Sequence, residues 1–309
     1  MEAATDRALR RAGHETLLLD DRRIRRAIGR RMTQHLIRAR THRFRPDFIF
    51  LSKCLALDLD TVRGLVGDAP NAMWYHDPQW FRDTARPDIG HIAAVGRIAS
   101  TFFVTGFDAE WRALGTNAKF LPAAGDAGIT PVTPSSAYTS DAAFIGTGYD
   151  ASRAALLLDL AKHHDVRVYG PGWQEWGKQL RWNGRSVEGK EFAEVCSSSA
   201  ITLGINPSRA AGGVTYTSDR TWMVILAGAF YLGQGTPGVE RFLRDGEHCA
   251  WYVDADDCLA KLDFYLRDPV ARERIRSQGE RFVRANHTYD QRIANLLSGE
   301  AWTVQSTTG

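Results

Sequence analysis

Short apolar runs alternate with longer amphipathic stretches along most of the chain. Such runs are typical of short buried strands. In the first half they occupy residues 16–19, 47–51, 72–75, 91–95, 101–104 and 118–121. In the second half they occupy residues 143–145, 166–169, 201–205, 230–233 and 250–253, and a helix begins at about Ala151. Because strand and helix patterns alternate, we expect parallel sheets that are covered by helices on both faces.

A segment of small and polar residues separates the two sets of runs. Residues 126–141 are rich in Ala, Gly, Ser, Thr and Pro, which predicts a linker. We therefore expect a Rossmann-like domain over residues 1–125, a linker over 126–141 and a second such domain over 142–280. The pattern is helical from about Asp268 to Leu297, and residues 281–309 form a last helix and a tail. Ligands of doubly wound sheets bind beyond the carboxyl ends of the strands, so two such sheets predict a cleft between the domains.

The composition is that of an ordinary globular chain. Hydrophobic residues make up 44% and charged residues 24% of the 309 positions, which excludes disordered and collagen-like classes. The longest apolar run, 222–232, is shorter than the ~20 residues of a membrane helix. We expect a cytoplasmic chain, because no secretory signal pattern opens it. The four cysteines lie far apart, which fits reduced thiols and indicates neither a disulfide framework nor a zinc site.

The net charge of +3 conceals a strongly basic segment. Between Arg22 and Arg45 there are ten arginines and no acidic residue. Ile24, Ile28 and Leu36 fall roughly at helical spacing, which predicts one amphipathic helix with an arginine-rich outer face. Such a face suits a nucleic acid, an anionic membrane surface or a phosphorylated acceptor, and a merely solvated helix face is the alternative. Aromatic residues are not interleaved with the arginines, which argues against single-stranded nucleic acid.

A glycine-rich motif follows the predicted strand 143–145. Gly146, Gly148 and Ala151 make the pattern G-x-G-x-x-A between a strand and a helix, where glycines let the backbone approach a phosphate. A tight turn without a ligand is the alternative. The next predicted strand ends at Tyr169-Gly170 without a carboxylate, whereas nicotinamide sites hold the ribose with an acid there. An NAD dehydrogenase is therefore disfavoured.

Several short stretches occur in the order found in one enzyme family. In the second half they are Ala143-Phe144-Ile145-Gly146, Val166 to Trp173, Ile205-Asn206-Pro207-Ser208, Ser218-Asp219-Arg220-Thr221-Trp222, Ala227 to Phe230, Gly238 to Leu243 and His287-Thr288-Tyr289. In the first half they are Gly13-His14-Glu15, Asp20-Asp21-Arg22, Pro46-Asp47 and Trp74-Tyr75-His76-Asp77-Pro78. On these stretches the chain resembles, over roughly residues 10 to 297, the CgeB-like (spore-maturation type) GT-B glycosyltransferases of the glycosyl transferases group 1 superfamily.

The resemblance implies a GT-B fold, in which two Rossmann-like doubly wound α/β domains face an interdomain cleft and the last helix crosses back towards the first domain. It places the nucleotide-sugar donor mainly on the second domain and the acceptor on the first. An arginine suits the diphosphate because its planar fork stays charged. The implied donor-binding residues are Gly146, Thr147 and Gly148 at the phosphates, Tyr169, Gly170 and Trp173 around the base, Asn206, Arg209 and Arg220 at the diphosphate or sugar, and Glu240.

Two positions depart from the family pattern. Related enzymes carry a glutamate for the ribose hydroxyls shortly after the position of Arg220, where this chain has Met223. A lost charge-assisted hydrogen bond weakens binding by ~1.5–3 kcal/mol, so we expect weaker or rearranged donor binding. Family members also open with a strand before the helix that ends near Gly13. Either the start of this sequence is late, or the first sheet is one strand smaller.

Glycosyl transfer requires help for the proton of the acceptor hydroxyl and for the charge of the leaving diphosphate. His76 and Asp77, at the carboxyl end of predicted strand 72–75, are the candidates for the proton, although Asp-Pro is also a common turn initiator. The D-x-D pairs at 58–60 and 254–256 precede helical patterns and are predicted N-caps. We therefore expect no metal site and no cofactor.

These features favour a cytoplasmic, metal-independent glycosyltransferase of the hexosyltransferase type. It would move a sugar from a nucleotide-diphosphate donor, with UDP or GDP favoured, to a glycan, a lipid-linked or a small-molecule acceptor. A nucleotide-sugar-binding protein without transferase activity and a nucleic-acid-modifying glycosyltransferase are the alternatives. Peripheral attachment to the inner face of a membrane and an anionic acceptor stay open, as do the oligomeric state and the choice between retention and inversion.

Overall fold

A computed structural model describes residues 2–77, 88–206 and 215–303. The chain divides into two compact units. Unit 1 comprises Met1–Ala123 together with Asp290–Gly309, and unit 2 comprises Ala124–Tyr289. Each unit contains one parallel sheet with helices, which confirms the predicted α/β class with two Rossmann-like domains.

Unit 1 is built on a four-stranded parallel sheet with the order β1-β2-β3-β4. The strands are β1 (Ile49–Leu51), β2 (Asn71–Tyr75), β3 (Thr101–Val104) and β4 (Ala118–Phe120). The helices are α1 (Glu2–Arg11), α2 (Asp21–Ile28), α3 (Arg30–Phe44), α4 (Leu59–Val66), α5 (Ile89–Ile98) and α6 (Asp108–Ala113). Every residue of β2 and β3 is buried, because helices cover both faces of the sheet. The core of unit 1 includes Trp111. Its ring packs edge-on against the rings of Phe102 and Tyr75, with centroid distances of 5.4 and 5.5 Å.

The predicted strand 91–95 is wrong, since these residues lie inside α5. Ile92, Ala93 and Val95 are buried, so the apolar run belongs to the core as expected. A short apolar run does not by itself distinguish a buried helix from a buried strand. Here the apolar pattern continues from Ile89 to Ile98 with small residues between, and it forms a helix of ten residues.

The predicted strand 16–19 is also wrong, because these residues pair with no strand among the described residues. β1 is the edge of the sheet, and a cavity of about 440 Å³ is lined by Leu17, Ile37 and Phe50 among others. Leu17 and Leu18 are 38% and 51% exposed. An apolar run alone does not make a strand, because a strand also requires a neighbour at hydrogen-bonding distance.

The single arginine-rich helix predicted over 22–45 is instead two helices, α2 and α3, which meet at Gly29. Gly29 has φ 76°, a conformation that breaks the helical ladder and that side chains with a Cβ rarely adopt. Its N–H ends α2 by donating to Arg25 O at 2.9 Å, and its carbonyl begins α3 by accepting from Thr33 N at 3.1 Å.

Unit 2 is built on a five-stranded parallel sheet with the order β6-β5-β7-β8-β9. The strands are β5 (Ser140–Ile145), β6 (Val166–Tyr169), β7 (Ser199–Gly204), β8 (Tyr231–Gln234) and β9 (Ala250–Tyr252). The helices are α7 (Ala151–Leu160), α8 (Gly189–Ser198), α9 (Asp219–Leu226), α10 (Ala255–Arg267), α11 (Pro269–Asn286) and α12 (Tyr289–Ser298), and nearly all of α12 belongs to unit 1. The order reverses between β5 and β7, since β6 lies on one side of β5 and the later strands lie on the other. Ligands of such sheets bind beyond the strand ends at this reversal.

The segment predicted as a linker, 126–141, is part of unit 2. Its backbone is mostly irregular until β5 begins, but it is tied to the unit by hydrogen bonds. Ser135 N donates to the Ser198 hydroxyl at 2.8 Å, and the Tyr138 hydroxyl donates to Glu191 at 2.8 Å. The segment that suggested a linker is therefore bound to helix α8 of unit 2.

In the part of the chain that the structure describes, no helix combines the length and the apolar character that crossing a membrane requires.

Candidate functional site

The reversal in strand order places the carboxyl ends of β5 and β7 side by side at one edge of the second sheet. The loop after β5 carries the G-x-G-x-x-A motif and leads into α7. Asn206 lies two residues beyond the end of β7. The topology thus brings two of the predicted donor-binding segments to the edge where α/β folds hold ligands.

Two arginines converge on the ring of Phe144 at this edge. The guanidinium carbon of Arg220, in the first turn of α9, lies 4.5 Å from the ring centroid. That of Arg153, in the first turn of α7, lies 5.8 Å from it. Arg153 is 7% exposed and donates to the backbone oxygen and the hydroxyl of Thr147, both at 3.3 Å. The aromatic ring offers each cation a favourable face.

In the described part of the chain, the two positive charges are not held in ion pairs, although the nearby Asp150 carboxylate stabilises the charge of Arg153. Among the described residues, no carboxylate forms an ion pair with Arg153 or Arg220, and Arg153 Nε is buried without a hydrogen-bond partner. Burial, and next the charge of Arg220, lower the pKa of Arg153 to about 10. Burial also lowers the pKa of Arg220. Arginine side chains are cations in proteins, and placing two of them together in a buried position without an ion pair costs free energy that a bound anion would recover.

The glycines of the motif let two loops pack closely together. Gly146 N–H donates to Tyr169 O at 2.8 Å, and Gly148 N–H donates to Pro171 O at 2.9 Å. A Cβ on Gly148 would lie 2.5 Å from Gly172 O, and one on Gly170 would lie 2.3 Å from Gly146 O. These backbone contacts leave no room for a side chain.

Gly146 has a second consequence for the site. A Cβ there would lie 2.8 Å from Arg220 Nη2, so the missing side chain makes space for the guanidinium. The N–H groups of Gly146 and Gly148 donate within the chain, and the N-terminus of α7 is capped by Asp150, which accepts from Ser152 N at 3.0 Å. The arginines, rather than the glycine amides or this helix end, therefore provide the positive potential. Direct contact of Gly146, Thr147 and Gly148 with donor phosphates stays a prediction.

The residues predicted around the base, Tyr169, Gly170 and Trp173, support the loop after β6. Trp173 is completely buried, and its indole N–H donates to Gly146 O at 2.8 Å. Tyr169 is 3% exposed, and burial raises its pKa. Both rings belong to the core of unit 2. They can therefore support the backbone that lines a base pocket, but they offer little surface for direct contact with a base.

The other predicted donor residues differ in their surroundings. Asn206 is bound to the end of β8, since its N–H donates to Gln234 Oε1 at 3.2 Å and its amide to Gln234 O at 3.3 Å. Glu240 is exposed in the 3-10 turn Val239–Arg241 and accepts from Asp245 N at 3.1 Å. Arg209 lies outside the described residues. Met223 is partly exposed on α9, about one turn beyond Arg220.

The candidates for proton transfer, His76 and Asp77, follow β2 in unit 1. His76 is 7% exposed with its ring 3.9 Å from that of Trp74, and burial lowers its pKa well below the ordinary 6.5. Asp77 is more accessible, with a side chain that is 40% exposed, and it forms an ion pair with Lys53. Lys53 follows β1, which neighbours β2 in the sheet. The structure thus brings a basic and an acidic side chain together at adjacent strand ends.

Sequence reasoning missed two residues of these clusters, Arg153 and Lys53. Arg153 occupies the first turn after the glycine motif, and Lys53 follows a strand end just as Asp77 does. A search for basic residues directly after predicted strand ends would have found Lys53. Nothing in the helical pattern distinguishes Arg153 from a surface arginine.

The D-x-D pairs are N-caps, as predicted. Asp58 accepts from Thr61 N at 2.8 Å at the start of α4, and Asp254 accepts from Asp257 N at 2.9 Å at the start of α10. Within residues 2–77, 88–206 and 215–303, no three His, Cys, Asp or Glu side chains are grouped as a metal ion would require.

Comparison with protein families gives one match. The model of a family described as glycosyl transferase-like matches residues 153–298, a region that begins at Arg153. This part of the chain is similar to that family. It includes most of unit 2 and the last helix. A search of the curated proteins finds no sequence that matches the chain.

Solved structures with low sequence identity share the fold. HepE from Anabaena, solved with UDP and glucose, has a TM-score of 0.63 at 12% identity, over 86% of this chain and 81% of its own. Sucrose-phosphate synthase from Thermosynechococcus elongatus has a TM-score of 0.62 at 12% identity, over 86% of this chain and 76% of its own. A glycosyltransferase from Rickettsia africae has a TM-score of 0.54 at 11% identity, over 86% and 79% of the two chains. The predicted GT-B glycosyltransferase fold is therefore confirmed.

Proposed function

We propose that this protein is a GT-B glycosyltransferase that uses a nucleoside-diphosphate sugar, and that Arg153 and Arg220 bind its diphosphate. The observation that carries the proposal is the pair of arginines over Phe144, neither of which forms an ion pair with a described carboxylate. A diphosphate offers several charged oxygens, which match two guanidinium groups better than a single carboxylate would.

The same arginines suit the chemical step. When the bond between the sugar and the diphosphate breaks, negative charge accumulates on the leaving group. Fixed positive charges at that place stabilise the transition state. Two arginines supply the charge that a divalent cation supplies in other transferases, which is the basis for proposing transfer without a metal ion.

A uridine nucleotide is the proposed donor class. HepE, which shares the fold, has been solved with UDP and with UDP-glucose. On unit 2, Asn206, Arg209 and Glu240 are proposed for the sugar side of the donor, with Gly146, Thr147 and Gly148 at the phosphates. A hexosyl group, a CgeB-like subtype and a cytoplasmic location are parts of the same proposal. A glycan, a lipid-linked or a small-molecule compound is the proposed acceptor.

On unit 1, Asp77 is the better candidate for accepting the acceptor's proton. Its carboxylate is accessible and held by Lys53, whereas His76 is almost completely buried. A general base must reach the hydroxyl that it deprotonates.

A nucleotide-sugar-binding protein without transferase activity is the second candidate. Met223 favours it, because a thioether one turn beyond Arg220 accepts only weak hydrogen bonds where related enzymes place a carboxylate.

Calorimetric titration with UDP, GDP, ADP and TDP tests the diphosphate site. We expect one nucleotide to bind wild type and to bind Arg220→Gln about 10- to 100-fold more weakly, as losing a charged hydrogen bond predicts. Arg281→Gln changes an exposed arginine on α11 and serves as the matched control. Unchanged affinity in Arg220→Gln would refute the site. Release of nucleotide from the matching sugar donor on adding acceptors then separates a transferase from a binding protein.

A further inference from the structure

The helices α2 and α3 form a surface, residues 21–45, that we call the basic helix pair. All ten of its arginines are exposed. Among the described residues, none of the ten has an ion pair with an acid, and Arg38 donates to the Thr61 hydroxyl at 2.9 Å. A surface that keeps this many positive charges without neutralising them is complementary to an extended anionic partner.

Apolar side chains lie exposed within the same surface. Ile28 and Met32, on either side of the Gly29 junction, are 42% and 57% exposed. Arg25, Arg26 and Arg30 are close to them in sequence. Ile24 of α2 is half-buried against the core of unit 1, whereas Ile28 is exposed and does not serve that core. Ile28 and Met32 are therefore available to a partner that can bury apolar side chains while its anionic groups contact the neighbouring arginines.

These two properties together favour a lipid surface over a nucleic acid. Phosphodiester backbones would satisfy the arginines but leave Ile28 and Met32 against charged groups. Stacking on unpaired bases requires exposed aromatic rings, and Phe44 is the only aromatic residue in the pair and is half-buried. A bilayer with anionic lipids offers charge to the arginines and acyl chains to the apolar residues. We propose that the basic helix pair binds the anionic surface of a lipid bilayer and holds unit 1 against it.

Co-sedimentation with vesicles tests the proposal without using the donor or any transferase activity. We expect binding to vesicles of 70% phosphatidylcholine and 30% phosphatidylglycerol, and little binding to pure phosphatidylcholine, because basic residues are attracted to the negative surface potential of anionic lipids. Increasing salt should weaken the binding, because the charges are screened. The result does not depend on the proposed function, since a protein without a donor site would bind the vesicles equally.

Three variants separate the contributions to vesicle binding of the arginines of the basic helix pair, of its apolar residues and of the net charge of the protein. A charge variant replaces four arginines by Gln at Arg25, Arg26, Arg30 and Arg31. A control variant replaces four exposed arginines of unit 2 by Gln at Arg244, Arg267, Arg274 and Arg281. Each arginine near an anionic surface contributes about fivefold, so the charge variant should lose at least about 100-fold in vesicle affinity. Ile28→Gln with Met32→Gln should lose about 10-fold or more at high salt, where apolar contact dominates.

Loss in the charge variant with wild-type binding in the control supports the proposal, provided that circular dichroism melts show both variants folded. An equal loss of vesicle binding in the charge variant and in the control variant overturns the proposal, because binding would then depend only on the net charge of the protein. Absence of vesicle binding by wild type also overturns it. Binding of duplex or single-stranded DNA in place of vesicles, lost in the charge variant, assigns the surface to nucleic acid instead.

Discussion

A few residues at strand ends and in the first turns of helices carry the chemistry proposed for the two units. Arg220 was predicted from the resemblance, and its position over Phe144 places it beside Gly146 in the folded unit. Arg153 was not predicted, because one arginine in a helix has no signature of burial. Conversely, Trp173 was predicted at a ligand and is completely buried. The residue types were visible in the sequence, but which of them face solvent depends on how the loops pack.

Asp77→Asn tests the proposed base on unit 1. The amide keeps the shape of the carboxylate but does not accept a proton, so we expect turnover to fall by about 100-fold or more. Donor affinity should be unchanged, since the proposed donor residues belong to unit 2. Steady-state rates and donor titration together measure this.

Asp60→Asn is the matched control for that prediction. Asp60 is also a carboxylate of unit 1 in an ion pair, with Arg63 at 2.8 Å, but it lies on the outer surface of α4. Its variant should keep wild-type turnover. A fall in donor affinity in Asp77→Asn without a fall in turnover would contradict the assignment.

Among the elements, the strands were easier to predict than the loops and helices between them, because apolar runs alternate regularly with amphipathic stretches. β3 and β6 have the predicted limits, because apolar runs bounded by polar residues match strands buried on both faces. Two apolar runs were wrongly predicted as strands, namely the run inside α5 and the unpaired segment at 16–19. The first run has the length of a strand but lies within a longer helix. The second has a strand's composition but no partner.

Helix α11 makes a close backbone contact that predicts the effect of one substitution. A Cβ on Gly279 would lie 2.0 Å from His248 O, a backbone atom that cannot turn aside. We expect Gly279→Ala to lower the free energy of unfolding by about 3 kcal/mol or more. Gly64→Ala, in α4 with nothing within 4 Å, should raise it by about 0.5–1 kcal/mol. Denaturant melts of the two variants give both values, and a mild effect at Gly279 would disprove the close packing of α11.

For the whole molecule, the division into two units with separate cores agrees with the alternating pattern on either side of residue 123. The limits differ in detail. The segment expected to be a linker is bound to helix α8 of unit 2, and residues from Asp290 onward belong to unit 1. Composition identifies loops, but it does not say to which body a loop is bound, since that is decided by hydrogen bonds between residues far apart in sequence.

The stability of the whole chain should depend on pH through its buried histidines. Burial lowers the pKa of His76 and of His248, so the unfolded chain binds their protons more readily than the folded chain does. The stabilisation is complete above the unfolded value of 6.5 and is lost as the pH falls below it. We expect the free energy of unfolding to fall between about pH 6.5 and 5, by up to about 1.4 kcal/mol per pH unit for each histidine.

His76→Gln should reduce this slope, and urea melts at several pH values measure it. The carboxylates with lowered pKa, such as Glu2 and Asp6, have ordinary pKa values of 4.5 and 3.8. They therefore change the free energy of unfolding mainly at pH values below the range from 6.5 to 5. An unchanged slope in His76→Gln would show that His76 protonates in the folded protein.

The sequence by itself determined the class of fold, the order of most strands along the chain and the caps at Asp58 and Asp254. These depend on local periodicity and on hydrogen bonds over a few residues. Only the tertiary structure decided that Arg153 and Arg220 share the ring of Phe144, that Lys53 pairs with Asp77 and that Trp173 is core. Each of these contacts joins residues from different elements, and the energy of a buried charge depends on everything around it, which no local pattern records.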